Sequence, residues 1–337
     1  MNNIHHFLWM TTLLLTMPSY GIAGGGSMTT SVTPLQKPAF AWSGEMRHLA
    51  VSFGDGVRVF DVATGMWSDL RIPLLSGSPV RDLALSSDGS VLLGVQCRAA
   101  PDRCIVEDMS RNGHAFSVGE VNRNTDVRWL RMGADDRIAV LAFNDEINAF
   151  GHTSKGWLPA GRLGRNEGYG DVVVMRDNVV TLQNDGLRFL KVGQKGLAEA
   201  GLEAMKANSI GACGDTLWIV ADGHSRLILR RATDTGWKTI ADLPGTALSR
   251  VAVSNDAKTL WYGTVESGKR VYKSYDLTAR TPIQTLQVQG LPDNPDVFAA
   301  SDKRMFTTGV NRPDGFVLYH VDASGSVQSQ TISYPAP

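Results

Sequence analysis

Three glycines spaced forty residues apart, a recurring order of apolar runs around polar turns, and the lack of any sustained helical period predict an all-β protein. The expected form is a seven-bladed β-propeller of four-stranded antiparallel blades. The glycines are Gly156, Gly196 and Gly236, each closing a polar turn and each followed by a large apolar residue, Trp157, Leu197 or Trp237. The runs after the two tryptophans end on Leu163 and Leu243. Glycine at such a turn supplies the positive φ that a tight hairpin needs.

Most units show one internal order. A short apolar strand such as Asp171–Met175 or Arg250–Ser254 leads to an Asp or Asn turn such as Ser87-Asp88-Gly89. A second apolar strand follows, as in Val91–Val95 or Thr259–Tyr262, then a tight turn such as Asn184-Asp185-Gly186 and an alternating third strand such as Leu187–Val192. The glycine turn then introduces a weaker fourth strand. Inner strands covered on both faces read as continuous apolar runs, and a half-solvated outer strand reads as mixed. Seven units result, at about 38–77, 78–122, 123–168, 169–208, 209–246, 247–292 and 293–337.

Ahead of them, Phe7–Met17 is a short apolar stretch followed by Pro18 and by small residues ending Gly21-Ile22-Ala23. This reads as a secretory signal over 1–23, although Lys and Arg are absent before Phe7. The run is too short to span a bilayer comfortably, so no integral membrane segment is expected after cleavage. Residues 24–37, rich in Gly, Ser, Thr and Pro, form a flexible lead-in, and 38–337 form one propeller domain. The expected location is periplasmic or secreted.

Among 337 residues, 33 Lys and Arg balance 33 Asp and Glu, for a net charge of zero. That balance argues against a nucleic-acid or anionic-membrane partner held by bulk electrostatics. Of the three cysteines, Cys97 and Cys104 flank a turn-like stretch and suit a disulfide in an oxidising compartment. A metal pair is the alternative, with no nearby ligand to complete it. Cys213 lies among small and apolar residues and reads as a buried thiol rather than a nucleophile.

Val59–Gly65 resembles the end of a WD-repeat blade, with Phe60 where Trp is usual. Leu83–Gly89 and Val251–Asp256 resemble the strand-and-turn element of periplasmic TolB-type propellers and of the quinoprotein amine dehydrogenase beta-chain superfamily. The resemblance covers the blade pattern of the mature chain. It implies a torus with a central channel and brings no catalytic residues with it. The first and last units each look complete, and Thr30–Leu35 can also add to the edge of the last blade.

Two residue sets are candidates for function. Arg81, Asp82, Asp126, Asp171, Arg250 and Asp296 fall at the starts of innermost strands, where they can rim the channel mouth and bind a small molecule. Arg98, Arg103, Arg226, Arg270 and Arg312 fall on turns between second and third strands and suit a polar protein interface, a solvated face being the plainer reading. Carboxylates recur on those turns as turn formers. The mature chain's histidines, His48, His114, His152, His224 and His320, fall in separate units, and no zinc, haem or nucleophile-elbow motif is present, so no metal or cofactor is expected. The tryptophans after the glycine turns are expected to wedge between blades.

The expected function is that of an exported, non-catalytic and monomeric propeller, binding a protein partner in the cell envelope or acting as a scaffold through loops on one face. The alternative is a periplasmic enzyme or enzyme subunit (a lactone hydrolase, a lyase or a dehydrogenase-associated protein) with its site at the channel mouth.

Overall fold

The computed structural model describes residues 39–334 except 44–45, 54–55, 69–71, 74–79, 99–102, 112–113, 122–126, 134, 165–169, 177, 194–195, 214, 234–235, 245–250, 255–257, 287–297, 301–303, 313–314 and 323–325. The signal, the lead-in and Thr30–Leu35 therefore lie outside the described residues. Every regular element among those described is a strand. The first sheet holds β1 (Phe40–Trp42), β2 (His48–Phe53), β3 (Gly56–Asp61), β4 (Met66–Trp67) and β5 (Ile72–Pro73). The second holds β6 (Val80–Leu85), β7 (Leu92–Arg98), β8 (Arg103–Arg111) and β9 (His114–Val121). The third holds β10 (Trp129–Met132), β11 (Ile138–Ala142), β12 (Glu146–Thr153) and β13 (Gly156–Gly164). The fourth holds β14 (Asp171–Met175), β15 (Asn178–Gln183), β16 (Gly186–Gly193) and β17 (Gly196–Glu203), and the fifth β18 (Ala207–Cys213), β19 (Thr216–Ala221), β20 (Arg226–Thr233) and β21 (Gly236–Pro244). The sixth holds β22 (Val251–Val253), β23 (Thr259–Glu266), β24 (Lys269–Asp276) and β25 (Thr281–Leu286); the last holds β26 (Phe298–Ala300), β27 (Arg304–Arg312), β28 (Gly315–Asp322) and β29 (Val327–Ser333).

The fold is a β-propeller. Each sheet is an antiparallel meander, and the innermost strands β1, β6, β10, β14, β18, β22 and β26 contact one another in that order. Where the sequence predicts four strands in every unit, six sheets are regular four-stranded blades and the first departs from the pattern. There β3 pairs with two strands of two residues each, β4 through Phe60 and Trp67 and β5 through Gly56 and Pro73. The physical reason is a mismatch in length: between Trp67 and Ile72 the chain has four residues where β3 has two, Arg58 and Val59, so one continuous ladder cannot form.

Apolar clusters lie between sheets rather than within them. Val57 and Ala50 of the first sheet pack with Leu83 and Met109 of the second, and Leu141 and Phe150 of the third pack with Val95 and Val106 of the second. The ring closes by packing. Leu49, Val51 and Phe60 of the first sheet meet Phe316, Leu318 and Ile332 of the last, and the Trp67 Nε1–H donates to the Ser333 carbonyl at 3.0 Å.

The glycine turns fall between third and fourth strands, with φ of 102° at Gly156, 107° at Gly196 and 134° at Gly236. Thr153 and Thr233 hydroxyls donate to the carbonyls of Gly156 and Gly236 at 2.9 and 3.0 Å. Trp157 is buried between the second and third sheets, and Trp237 packs between the fourth and fifth, 5.3 Å from the Phe189 ring. These are the wedges the sequence predicts.

A register shift recurs where third strand meets fourth, at Ala149/Phe150, Phe189/Leu190 and Leu229/Arg230, leaving Ala160, Ala200 and Ile240 as the extra residues of β-bulges. A bulge reverses side-chain alternation from that point on. Trp157 and Leu163 have the same parity, yet Trp157 packs towards the second sheet and Leu163 towards the fourth. Trp237 and Leu243 repeat the arrangement on the fifth sheet.

Cys97 and Cys104 stand opposite one another on β7 and β8 and form a disulfide with S–S 2.03 Å, closing that hairpin. Cys213 ends β18, and its side chain is outside the described set.

Candidate functional site

In a four-stranded meander the turns between second and third strands emerge at the same end as the connections between blades. The described members of both candidate residue sets therefore belong to one face. The glycine turns belong to the other.

At the channel, Asp82 of β6 and Asp171 of β14 flank Arg131 of β10. The Asp82 Oδ1 accepts from the Leu83 N–H at 2.9 Å; its Oδ2 accepts from the Leu130 N–H at 2.8 Å and from the Arg131 Nη1 at 3.2 Å. Asp171 repeats the pattern, accepting from the Val172 N–H at 2.9 Å and the Ile210 N–H at 3.3 Å. Burial pushes both carboxyls above the ordinary value, and the Arg131 charge opposes the rise at each. Each carboxylate thus ties its own innermost strand to that of the next sheet. Its oxygens are spent on backbone N–H groups, so the trio latches blades together. Arg81 is exposed, and Asp126, Arg250 and Asp296 lie outside the described residues. The sequence offered no reason to single out Arg131, which sits mid-strand in Trp129–Met132.

The two loop arginines with described side chains, Arg103 and Arg226, are engaged within their own blades. The Arg103 Nη1 donates to Glu120 at 2.9 Å. Arg226 forms a two-pronged pair with Asp242, Nε to Oδ1 at 2.9 Å and Nη2 to Oδ2 at 2.6 Å, with Asp222 at 3.6 Å. That pairing raises the Arg226 pKa and holds Asp242 below the ordinary carboxylate value. Arg98, Arg270 and Arg312 fall in or at the ends of β7, β24 and β27, with side chains outside the described set. Among the described residues, no three His, Cys, Asp or Glu gather as a metal would require, and no helix is long and apolar enough to cross a membrane.

A cleft of about 270 Å³ opens between the fifth and sixth sheets on this same face. Ser225 from the β19–β20 turn, Pro244 at the end of β21, Tyr262, Thr264, Val265 and Glu266 of β23, and Lys273 of β24 line it. Tyr262 and Lys273 are direct cross-strand neighbours, and Glu266 pairs with the Lys273 ammonium. The Glu266 hydrogen bond raises the Lys273 pKa; burial raises that of Tyr262, with the Lys273 charge opposing. Tyr262 is 9% exposed, and its hydroxyl makes no hydrogen bond with any described residue. The sequence missed this site because it exists only through cross-strand register and the packing of two blades.

No family model matches the chain, and no curated protein matches it. Solved structures do. The Cps50 (Swd1) β-propeller domain of Myceliophteria thermophila superposes with a TM-score of 0.58 at 13% identity, covering 85% of this chain and 96% of that one. Sqt1 of Saccharomyces cerevisiae gives 0.59 at 11%, covering 88% and 84%. A protein from Lactobacillus plantarum gives 0.57 at 14%, covering 85% and 92%. Likeness at such identities shows the fold alone: this chain is similar to these propellers in architecture.

Proposed function

We propose that this propeller is a protein-interaction scaffold whose recognition face is the one carrying the turns between second and third strands. The observation that carries the reading is the cleft between the fifth and sixth sheets, where a tyrosine and an ion pair open onto that face. The opposite face repeats one glycine turn with small variation, as a structural edge would. In this reading the first sheet serves as a seventh blade, and the chain is exported as a monomer. The Cys97–Cys104 disulfide supports export, since such bonds persist in oxidising compartments. The composition of a solved assembly supports the class: one structural neighbour, with a TM-score of 0.54 at 13% identity, is a chain of a mitotic checkpoint complex.

Affinity capture with the full chain tests the proposal. A stoichiometric protein partner is expected from an envelope extract. Lys269→Glu, on the exposed β23–β24 turn, should weaken its capture at least about tenfold, and Lys155→Glu, on the glycine-turn face, should leave it intact. Recovery of the chain alone, or equal loss with both variants, would overturn the reading.

A further inference from the structure

We propose that the cleft between the fifth and sixth sheets seats an acidic side chain of a partner polypeptide, which displaces Glu266 from Lys273 and accepts a hydrogen bond from Tyr262. This rests on the reading that the face binds protein. The Tyr262 phenol is nine-tenths buried and lines the cleft without a hydrogen-bond partner among the described residues. Its ring is held by the surrounding strands while its hydroxyl borders the open cleft, where an acceptor can reach it.

Lys273 stands directly across from Tyr262, so ammonium and phenol border the same space. A carboxylate already fits there, because Glu266 occupies the ammonium. That occupant is replaceable: its side chain is 47% exposed against 27% for Lys273, and it sits at the last residue of β23, beside the Ser267–Gly268 turn. Exposed ion pairs of this kind are weak.

Size and charge narrow the occupant. About 270 Å³ lies below the range of roughly 300–1,000 Å³ typical of small-molecule sites, and suits one side chain from a surface too large to enter. Pro244 and Val265 offer apolar walls to its methylenes. Lys273 is the one cation among the described lining residues, and the neighbouring Arg226 is committed to Asp242. A basic side chain would meet Lys273 head-on. The Ser225 hydroxyl is engaged as a donor to the Asp222 carbonyl at 2.6 Å, leaving Tyr262 and Lys273 as the recognition pair.

The test is an NMR titration of the full chain, observing the Lys273 side chain and the Tyr262 ring. The probes are N-acetyl-glutamate N-methylamide, its glutamine and lysine counterparts, and glutarate. Saturable shifts are expected with the glutamate compound and not with the glutamine or lysine compound. Glu266→Gln removes the competitor and should tighten binding about threefold to fivefold, the range an exposed ion pair commands. Tyr262→Phe should weaken it, and Lys273→Met should abolish it with the unfolding midpoint unchanged. If Lys273→Met fails to fold, the Glu266→Gln arm decides. The absence of saturation, equal response to the glutamine compound, no tightening in Glu266→Gln, or tighter binding of glutarate (a metabolite site) would each overturn the proposal. A failed titration with capture intact sinks this inference and spares the scaffold; lost capture with the titration intact does the reverse.

Discussion

Arg280 adopts a φ of 59° at the place in its turn where the first sheet has Gly65 at 70°. The two turns are otherwise alike. Asp61 Oδ1 accepts from the N–H groups of Ala63 and Thr64, and Asp276 Oδ1 accepts from those of Thr278 and Ala279. A side chain in the left-handed region costs about 1–2 kcal/mol, and glycine returns part of that as unfolded-chain entropy. Arg280→Gly should therefore stabilise the protein by about 1 kcal/mol, read from the urea unfolding midpoint. Asp88 makes a pH prediction. Its Oδ1 accepts from the Ser90 N–H at 2.8 Å and the Ser86 hydroxyl at 2.7 Å, and those bonds bring its pKa down from 3.8 to about 2. A depressed carboxyl contributes stability that is present above 3.8 and is lost as pH falls through about 2. In unfolding measurements, the advantage of the native chain over Asp88→Asn should shrink between neutral pH and about pH 2. The Asp-containing turns were legible in the sequence because short acidic side chains organise backbone locally. Arg131, Tyr262 and Lys273 were not, because their roles depend on what neighbouring strands and blades place beside them.

The outer strands show the same division at the next scale. Gly156 and Gly236 announced their hairpins, and Trp157 and Trp237 announced apolar wedges. What the sequence hid was the bulge, because an extra Ala160 or Ile240 leaves no mark in composition. Its effect is measurable at neighbouring positions. Trp157 is buried in the interface, whereas Leu158 is 48% exposed. Trp157→Ala should cost about 3–5 kcal/mol, and Leu158→Ala should stay within about 0.5 kcal/mol, both from denaturant midpoints. Equal effects would mean that β13 does not alternate as its register indicates.

For the molecule as a whole, the interface to test is the closing one. Neighbouring sheets elsewhere are joined by covalent connections as well as by packing. The first and last meet through Phe316, Ile332, Leu49 and their neighbours and through the Trp67–Ser333 hydrogen bond. Phe316→Ala should cost about 3–5 kcal/mol. Native-state hydrogen exchange in that variant should accelerate first in β2, β3 and β28, ahead of β15 and β19. Uniform acceleration would show that the ring opens as one unit. The bulged outer strands carry a further consequence. On the third and fifth sheets, an outer strand holding one anchor for the blade before it and another for the blade after it is both plug and socket. Duplicating such a unit creates no orphaned surface except at the seam, so the number of blades in a lineage can change by whole copies, with the seam alone left to readapt.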